Sequence, residues 1–442
     1  MALLLAAAVS RMWSAGRFQN RPLPAGIVSL APVWGLLFLY VLGQATLSAP
    51  FLGERPELWW SAAESLAHEP VRHLMTVEPF ATLRAAILTL AYGALFAVTL
   101  LLLDDAGRVR TFMLVLVASG VTQAVYGIVD ALAWSSGDTV ASGTFVSRNH
   151  FAGYLEMTLA AGIGYLSGAG RVSGEDLGLK AVWRGLLNFF LSEKASIRIG
   201  VLIMALGLIL SRSRMGNSAF LGTLTGLSFL CSLLSTGAFR RRLTVLWITI
   251  LILDTGFLGS YFGIEKVAER LENTTAHEMD NRLDARDMLE PYVLDFLPWG
   301  SGLGTFRKVF SAYYDQSMGL MGVWLAAEDD YLQFIGELGV PGVLLLAPLV
   351  MTSLWMGLSA VRVRDTMFLK GVGFAASMGI VSILVHSFVD FNLQIPSNAA
   401  SFVLLLALCW VARWLPEHAE DSRAGESRSA SGVHRSQAET QS

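Results

Sequence analysis

Apolar runs of about 20 residues recur along most of the chain, and that recurrence leaves few folds open. A helix of that length matches the thickness of a bilayer's hydrocarbon core. The runs lie at roughly 26–47, 82–103, 111–134, 149–170, 197–211, 217–235, 243–262, 331–357, 370–390 and 396–414. The run at 197–211 is short and ends at the arginines of SRSRMGN, Arg212 and Arg214. Of 442 residues only 15% are charged and 54% are hydrophobic, whereas a soluble domain carries about a quarter charged residues. The mean hydropathy is +0.53. The expected fold is all-α: a polytopic transmembrane helix bundle of about 10–12 spans. Residues 1–10 form a doubtful extra segment, and their run ALLLAAAVS has no basic region before it, so it does not read as a cleavable signal.

Lys and Arg in the loops set the expected orientation. Arg11, Arg17 and Arg21, Arg108 and Arg110, Arg171 to Lys194, Arg240 to Arg242, and Arg362 to Lys370 all fall on one side when the runs alternate. That side is assigned to the cytoplasm. The other side receives 48–81, 135–148, the junction 211–216, the long segment 263–330, and 391–395. The chain divides into N-terminal transmembrane helices (1–262), a helical external loop (263–330), C-terminal transmembrane helices (331–414) and a polar tail (415–442). The tail is rich in Ser, Glu and Arg and reads as disordered. Segment 263–330 shows helical spacing in NRLDARDMLEPYVLDFL and then a glycine turn, GSGLGTF. A net charge of -3 gives no sign of a nucleic-acid partner. Cys231 and Cys409 lie inside apolar runs and read as small buried hydrophobes. No Cys/His spacing suggests zinc, and neither a metal nor a cofactor is expected.

Several polar constellations fall on the external side. They are Arg148, Asn149 and His150 in TFVSRNHFAGYLE, with Glu156 deeper; Arg212 and Arg214; Arg282 and Arg286 in NRLDARD; Glu328, Asp329 and Asp330 in AEDDYLQFIGELG, with Glu337 inside the span; and His386 and Asp390 in HSFVDFNLQIPSN. An ionisable group at membrane depth costs several kcal/mol unless it faces a wet or paired interior. Arginine's planar fork fits phosphate oxygens bidentately. Several arginines on one face therefore point to an anionic ligand such as a diphosphate, and the acids at 328–330 stand where a hydroxyl proton could be taken. Structural roles compete at each position. Arg212 can pair with Glu156 or Glu337, Arg214 can anchor an interface, His386 and Asp390 can join spans, and Asp329 and Asp330 can cap a helix.

At GTFVSRNHFAGYL (143–155), LILSRSRMG (208–216), NRLDARDMLEPYVLDFLPWGSGLGTF (281–306), DDYLQFIGELGVPG (329–342) and HSFVDFNLQIPSNA (386–399), the chain resembles the O-antigen ligase and polymerase superfamily of bacterial membrane proteins. The likeness covers roughly 80 to 410. It implies a multi-span, metal-independent, inverting glycosyltransferase in the inner membrane, with its active site on the periplasmic face. The donor would be a glycan on undecaprenyl diphosphate. The acceptor would be another glycan or lipid A-core, and polysaccharide assembly proteins would be partners. By motif position Arg148, Arg214 and Arg282 correspond to the family arginines that engage the donor diphosphate, with Arg212, His386 and Asp390 in support. Many ligases carry an HND-like pattern before the span that opens at DYLQ. Here it reads Glu328-Asp329-Asp330, so Glu328, Asp330 or His150 must supply the base, which tilts the expectation towards a polymerase-like role in O-antigen or exopolysaccharide synthesis. The alternative class is a transporter of a lipid-linked glycan. It would need polar groups along a continuous path, whereas most external-side charges cluster at one level and the spans are otherwise apolar apart from Glu156, Asp254 and Glu337. A non-catalytic scaffold is the third reading.

Overall fold

The computed structural model describes residues 23–48, 54–68, 72–134, 140–168, 195–245, 248, 289–313 and 325–416. The doubtful first segment, most of the expected span at 243–262, Arg282 and Arg286, and the polar tail from 417 lie outside the described residues. Among the described residues the named elements are helical, and the β-pairing is an isolated bridge between Ser48 and Leu74. The bundle comprises α1 (Ala25–Thr46), α2 (Glu54–Ala67), α3 (Pro79–Leu102), α4 (Ala106–Val129), α5 (Arg148–Gly168), α6 (Ala195–Leu210), α7 (Arg214–Leu234), α8 (Asp330–Val363), α9 (Met367–His386) and α10 (Pro396–Trp414). Apart from 243–262, each apolar run of the sequence falls on one of these helices. Among the described residues, seven helices are long and apolar enough to cross a membrane; α6 is apolar but shorter. The architecture is that of an all-α, multi-pass membrane bundle.

Helix α5 does not qualify by apolarity, because Arg148, Asn149, His150 and Glu156 lie on it. It is the central helix instead. All of its residues except Arg148, Asn149, Tyr154 and Leu166 are buried, against α4, α6, α7, α9 and α10. Small residues permit this enclosure. A side chain at Gly164 would strike Ala375 and the Gly371 carbonyl of α9, so the two backbones meet almost directly, as in close-packed membrane helix pairs. The outward faces of α1 and α3 carry Leu36, Leu39, Ile87 and Leu90, all exposed, which is the expected surface for lipid.

One span departs from the sequence expectation. Helix α8 is broken at Gly339, whose φ of 63° is left-handed. Pro341 follows two residues later; it has no N–H and crowds the carbonyl of Glu337. In a bilayer the freed backbone groups must find partners inside the protein. The glycine turn at 300–306 supplies them. Ser301 N–H donates to Gly336 O at 2.9 Å, Gly302 N–H to Glu337 O at 3.0 Å, and Val340 N–H to Pro298 O at 2.9 Å. From α1, Tyr40 Oη donates to Leu338 O and Trp299 O at 2.8 Å, and Gln44 Nε2 to Trp299 O at 2.9 Å and Glu337 O at 3.1 Å. A side chain at Gly300 (φ 80°) would collide with the Glu337 carbonyl. The Glu337 carboxylate accepts from Phe306 N–H at 2.8 Å. The turn GSGLGTF is thus a plug seated in a helix break. Around it, Leu289, Tyr292, Val293, Phe296, Phe306 and Phe310 form a small aromatic core, flanked by Trp59 of α2.

Candidate functional site

Cross-connections define one end of the bundle, where α5, α7, α8 and α10 begin and α6 and α9 finish. Asn398 Nδ2 of α10 donates to His150 O of α5 at 2.9 Å, Asp330 N–H of α8 donates to Ser387 O after α9 at 3.0 Å, and Ala141 N–H donates to Leu210 O of α6 at 3.0 Å. Helix α7 starts beside α5: a side chain at Gly216 would meet Ala152 Cβ at 2.7 Å and Glu156 Oε1 at 3.2 Å. Ser213 caps α7 by accepting from Gly216 N–H at 3.2 Å.

Inside this end lies a buried chain of ionisable groups. Glu156, fully buried on α5, places Oε1 2.7 Å from His386 Nδ1 of α9, and its Oε2 accepts from Ser382 Oγ at 2.6 Å. His386 Nε2 faces Asp390 Oδ2 at 3.8 Å, and the other Asp390 oxygen lies 3.3 Å from His150 Nε2. The His150 ring meets Phe391 edge-on at 4.5 Å. Burial pushes the Asp390 carboxyl up, but His150 and then His386 outweigh it and hold the group below the ordinary carboxylate range. Asp390 is therefore an anion between two imidazoles. The sequence placed His150, His386 and Asp390 at this end, and the structure brings them together. It also adds Glu156 and Ser382 as partners. A glutamate in the middle of an apolar helix was the available signal; its partner 230 positions away was not legible.

The acids of AEDD have distinct surroundings. Asp329 caps α8, accepting from Tyr331 N–H at 3.0 Å and Leu332 N–H at 3.1 Å. Asp330 is buried, and its carboxylate accepts from Ser387 Oγ at 2.7 Å, Leu393 N–H at 2.9 Å and Gln394 Nε2 at 3.3 Å. It ties the start of α8 to segment 387–394. Glu328 is half-buried in a left-handed backbone conformation (φ 53°) just before the cap. Arg148 and Arg214 are exposed, each on the first residue of its helix, and Arg212 is exposed in the turn between α6 and α7 with φ 52°. Among the described residues, no group of three or more His, Cys, Asp or Glu could hold a metal ion. The arrangement offers guanidinium groups at the rim and a desolvated carboxylate–imidazole chain beneath, parts suited to binding an anion and moving a proton.

No curated protein matches the chain. Residues 199–347 match the family model described as O-antigen ligase. The match runs from α6 through Arg214 and α7 past the break in α8, and it leaves out His150, His386 and Asp390. Over that stretch the chain is similar to the O-antigen ligase family, in agreement with the superfamily resemblance of its motifs.

Proposed function

We propose that the chain is a glycosyltransferase of surface-polysaccharide synthesis, moving a glycan from undecaprenyl diphosphate to a sugar hydroxyl. The acceptor is a second glycan or lipid A-core. The reading places the chain in the bacterial inner membrane, with the site end facing the periplasm. The observation that carries it is the exposure of Arg148 and Arg214 on the first turns of α5 and α7, above a buried cluster of carboxylates and imidazoles at the same end. Both guanidiniums sit at helix N-termini, where backbone N–H groups also favour an anion. In this reading Arg148, Arg214 and Arg282 hold the diphosphate and stabilise the charge that develops as it leaves, with Arg212 in support. The transfer is metal-independent and inverts the anomeric carbon. The proton acceptor for the hydroxyl comes from Glu328, Asp330 and His150, and His386 and Asp390 support the site.

The test uses the purified chain in detergent, supplied with lipid extract from cells in which its gene is deleted. Glycan transfer without a membrane gradient supports an enzyme, and its absence sinks the proposal in favour of transport. Arg214→Ala should lose most of that transfer; full activity at normal expression removes the donor role. Accumulation of single lipid-linked units in the deletion strain identifies a polymerase, and accumulation of finished lipid-linked polymer identifies a ligase.

A further inference from the structure

We infer that His150 is the group that takes the acceptor's hydroxyl proton, and that Asp390, backed by His386 and Glu156, is the positioning residue that holds its ring. The inference rests on the glycosyl-transfer reading and selects among its candidate bases. His150 stands on the first turn of α5, as Arg148 does, so a base there lies at the same end of the bundle as a group proposed to hold the donor. Its ring is fixed on two sides, by the edge of Phe391 at 4.5 Å and by Asp390 Oδ1 at 3.3 Å from Nε2. Its backbone is held by Asn398. With Nε2 turned to Asp390, Nδ1 is the nitrogen left to accept a proton.

Asp329 and Asp330 are engaged otherwise. Asp330 has both oxygens occupied by donors from 387–394, and Asp329 is spent on the helix cap. Asp390 is different. It faces two imidazoles, and both buried Nε2 atoms, of His150 and of His386, lack a hydrogen-bond partner among the described residues. An interhelical staple would have closed those bonds. Polar contacts in resting active sites are often long and tighten only when charge develops. Behind Asp390, His386 is locked by Glu156 at 2.7 Å, and Glu156 by Ser382 at 2.6 Å. The chain thus ends in a fully buried anchor that keeps Asp390 opposite the ring. Such a carboxylate fixes the tautomer of the imidazole and stabilises the imidazolium that forms.

In the step, the acceptor O–H proton passes to His150 Nδ1 while the acceptor oxygen bonds to the anomeric carbon. The bond from that carbon to the diphosphate oxygen breaks, and the lipid diphosphate leaves with the electron pair. The imidazolium then gives its proton to the departing diphosphate or to water.

The test uses the full chain in detergent with extract from the deletion strain as the source of donor and acceptor. His150→Ala should lower the turnover number by about 10²–10⁴-fold while donor binding, read by filter retention of the labelled lipid-linked glycan, stays as in wild type. Added imidazole should restore part of the turnover. Asp390→Asn should lower kcat by up to about 10⁴-fold with KM unchanged and no rescue by imidazole, and Asp390→Glu should recover part of it. A His150→Ala protein that turns over within about threefold of wild type overturns the inference, as does one that binds donor normally yet gains nothing from imidazole. So does an Asp390→Asn effect confined to melting temperature. Absence of product with the wild-type chain defeats the glycosyl-transfer reading itself, a result distinct from an active wild type with an active His150→Ala.

Discussion

Removing the Glu156 carboxylate should destabilise the bundle by about 4 kcal/mol. The side chain is fully buried on α5, and its two oxygens serve His386 Nδ1 at 2.7 Å and Ser382 Oγ at 2.6 Å. Glu156→Ala strands both partners inside the bundle. Each orphaned polar group costs about 1–3 kcal/mol, and breaking one side of a buried pair costs about 3–5 kcal/mol, so the two routes agree. Glu156→Gln keeps the shape and one carbonyl oxygen, and its amide can donate where the second oxygen accepted; its cost should be about 1–2 kcal/mol. With an unfolding entropy of about 2.1 cal/mol/K per residue, 442 residues convert 4 kcal/mol into a fall of about 4 °C. The chain carries its own reporter. Cys231 and Cys409 are both free and buried, so a thiol-reactive dye in detergent reads unfolding directly. An Ala variant melting within about 1 °C of wild type, or a Gln variant as damaged as Ala, would refute the account of the pair.

Three other outcomes follow from the same geometry. Arg214→Lys keeps the charge but loses the planar fork, so transfer should recover little relative to Arg214→Ala, whereas a lysine that restores full turnover would show that charge alone suffices. Gly300→Ala forces a side chain against the Glu337 carbonyl at φ 80° and should cost about 2 kcal/mol or more, seen as a lower melting temperature in the same dye assay. Asp390 titrates below the ordinary carboxylate range, so its contribution to stability is present above an unfolded Asp value of about 3.9 and is lost as pH falls through the lower folded value. The gap in melting temperature between wild type and Asp390→Asn should therefore hold from pH 7 to about 5 and shrink below about 4. A gap that persists unchanged in acid would contradict the ionised assignment.

The spans were legible because a membrane helix writes itself in one continuous run of about 20 residues, and α1, α3, α4, α9 and α10 fall where those runs lie. The shared end of His150, His386 and Asp390 was legible from alternation of the runs. What the sequence hid depends on partners far away in the chain. The sequence offered Arg212 as a partner for Glu156 or Glu337, and the observed partner of Glu156, His386, required knowing that α5 lies against α9. Asp330 read equally well as a base or as a cap, and only the segment 387–394 folded over it shows both oxygens engaged. The run 331–357 gave a plain span, although Gly339-Val340-Pro341 stood in it. A glycine and a proline two residues apart announce a break, but not that Ser301 and Gly302 fill it.

The enclosure of α5 also bears on how the chain is made. A segment with Glu156 in its interior and Arg148 and His150 on its first turn is a poor candidate for partitioning into lipid by itself, since insertion scales charge about 2.5–3.5 kcal/mol for an acidic group near a helix centre. It is stable only once other helices surround it, and α9, which supplies the imidazole for Glu156, is synthesised some 200 residues later. Nascent α5 therefore lacks the buried partner of Glu156 until the C-terminal helices are made. Truncations upstream of α9 should leave α5 accessible to degradation, as a direct consequence of its central position.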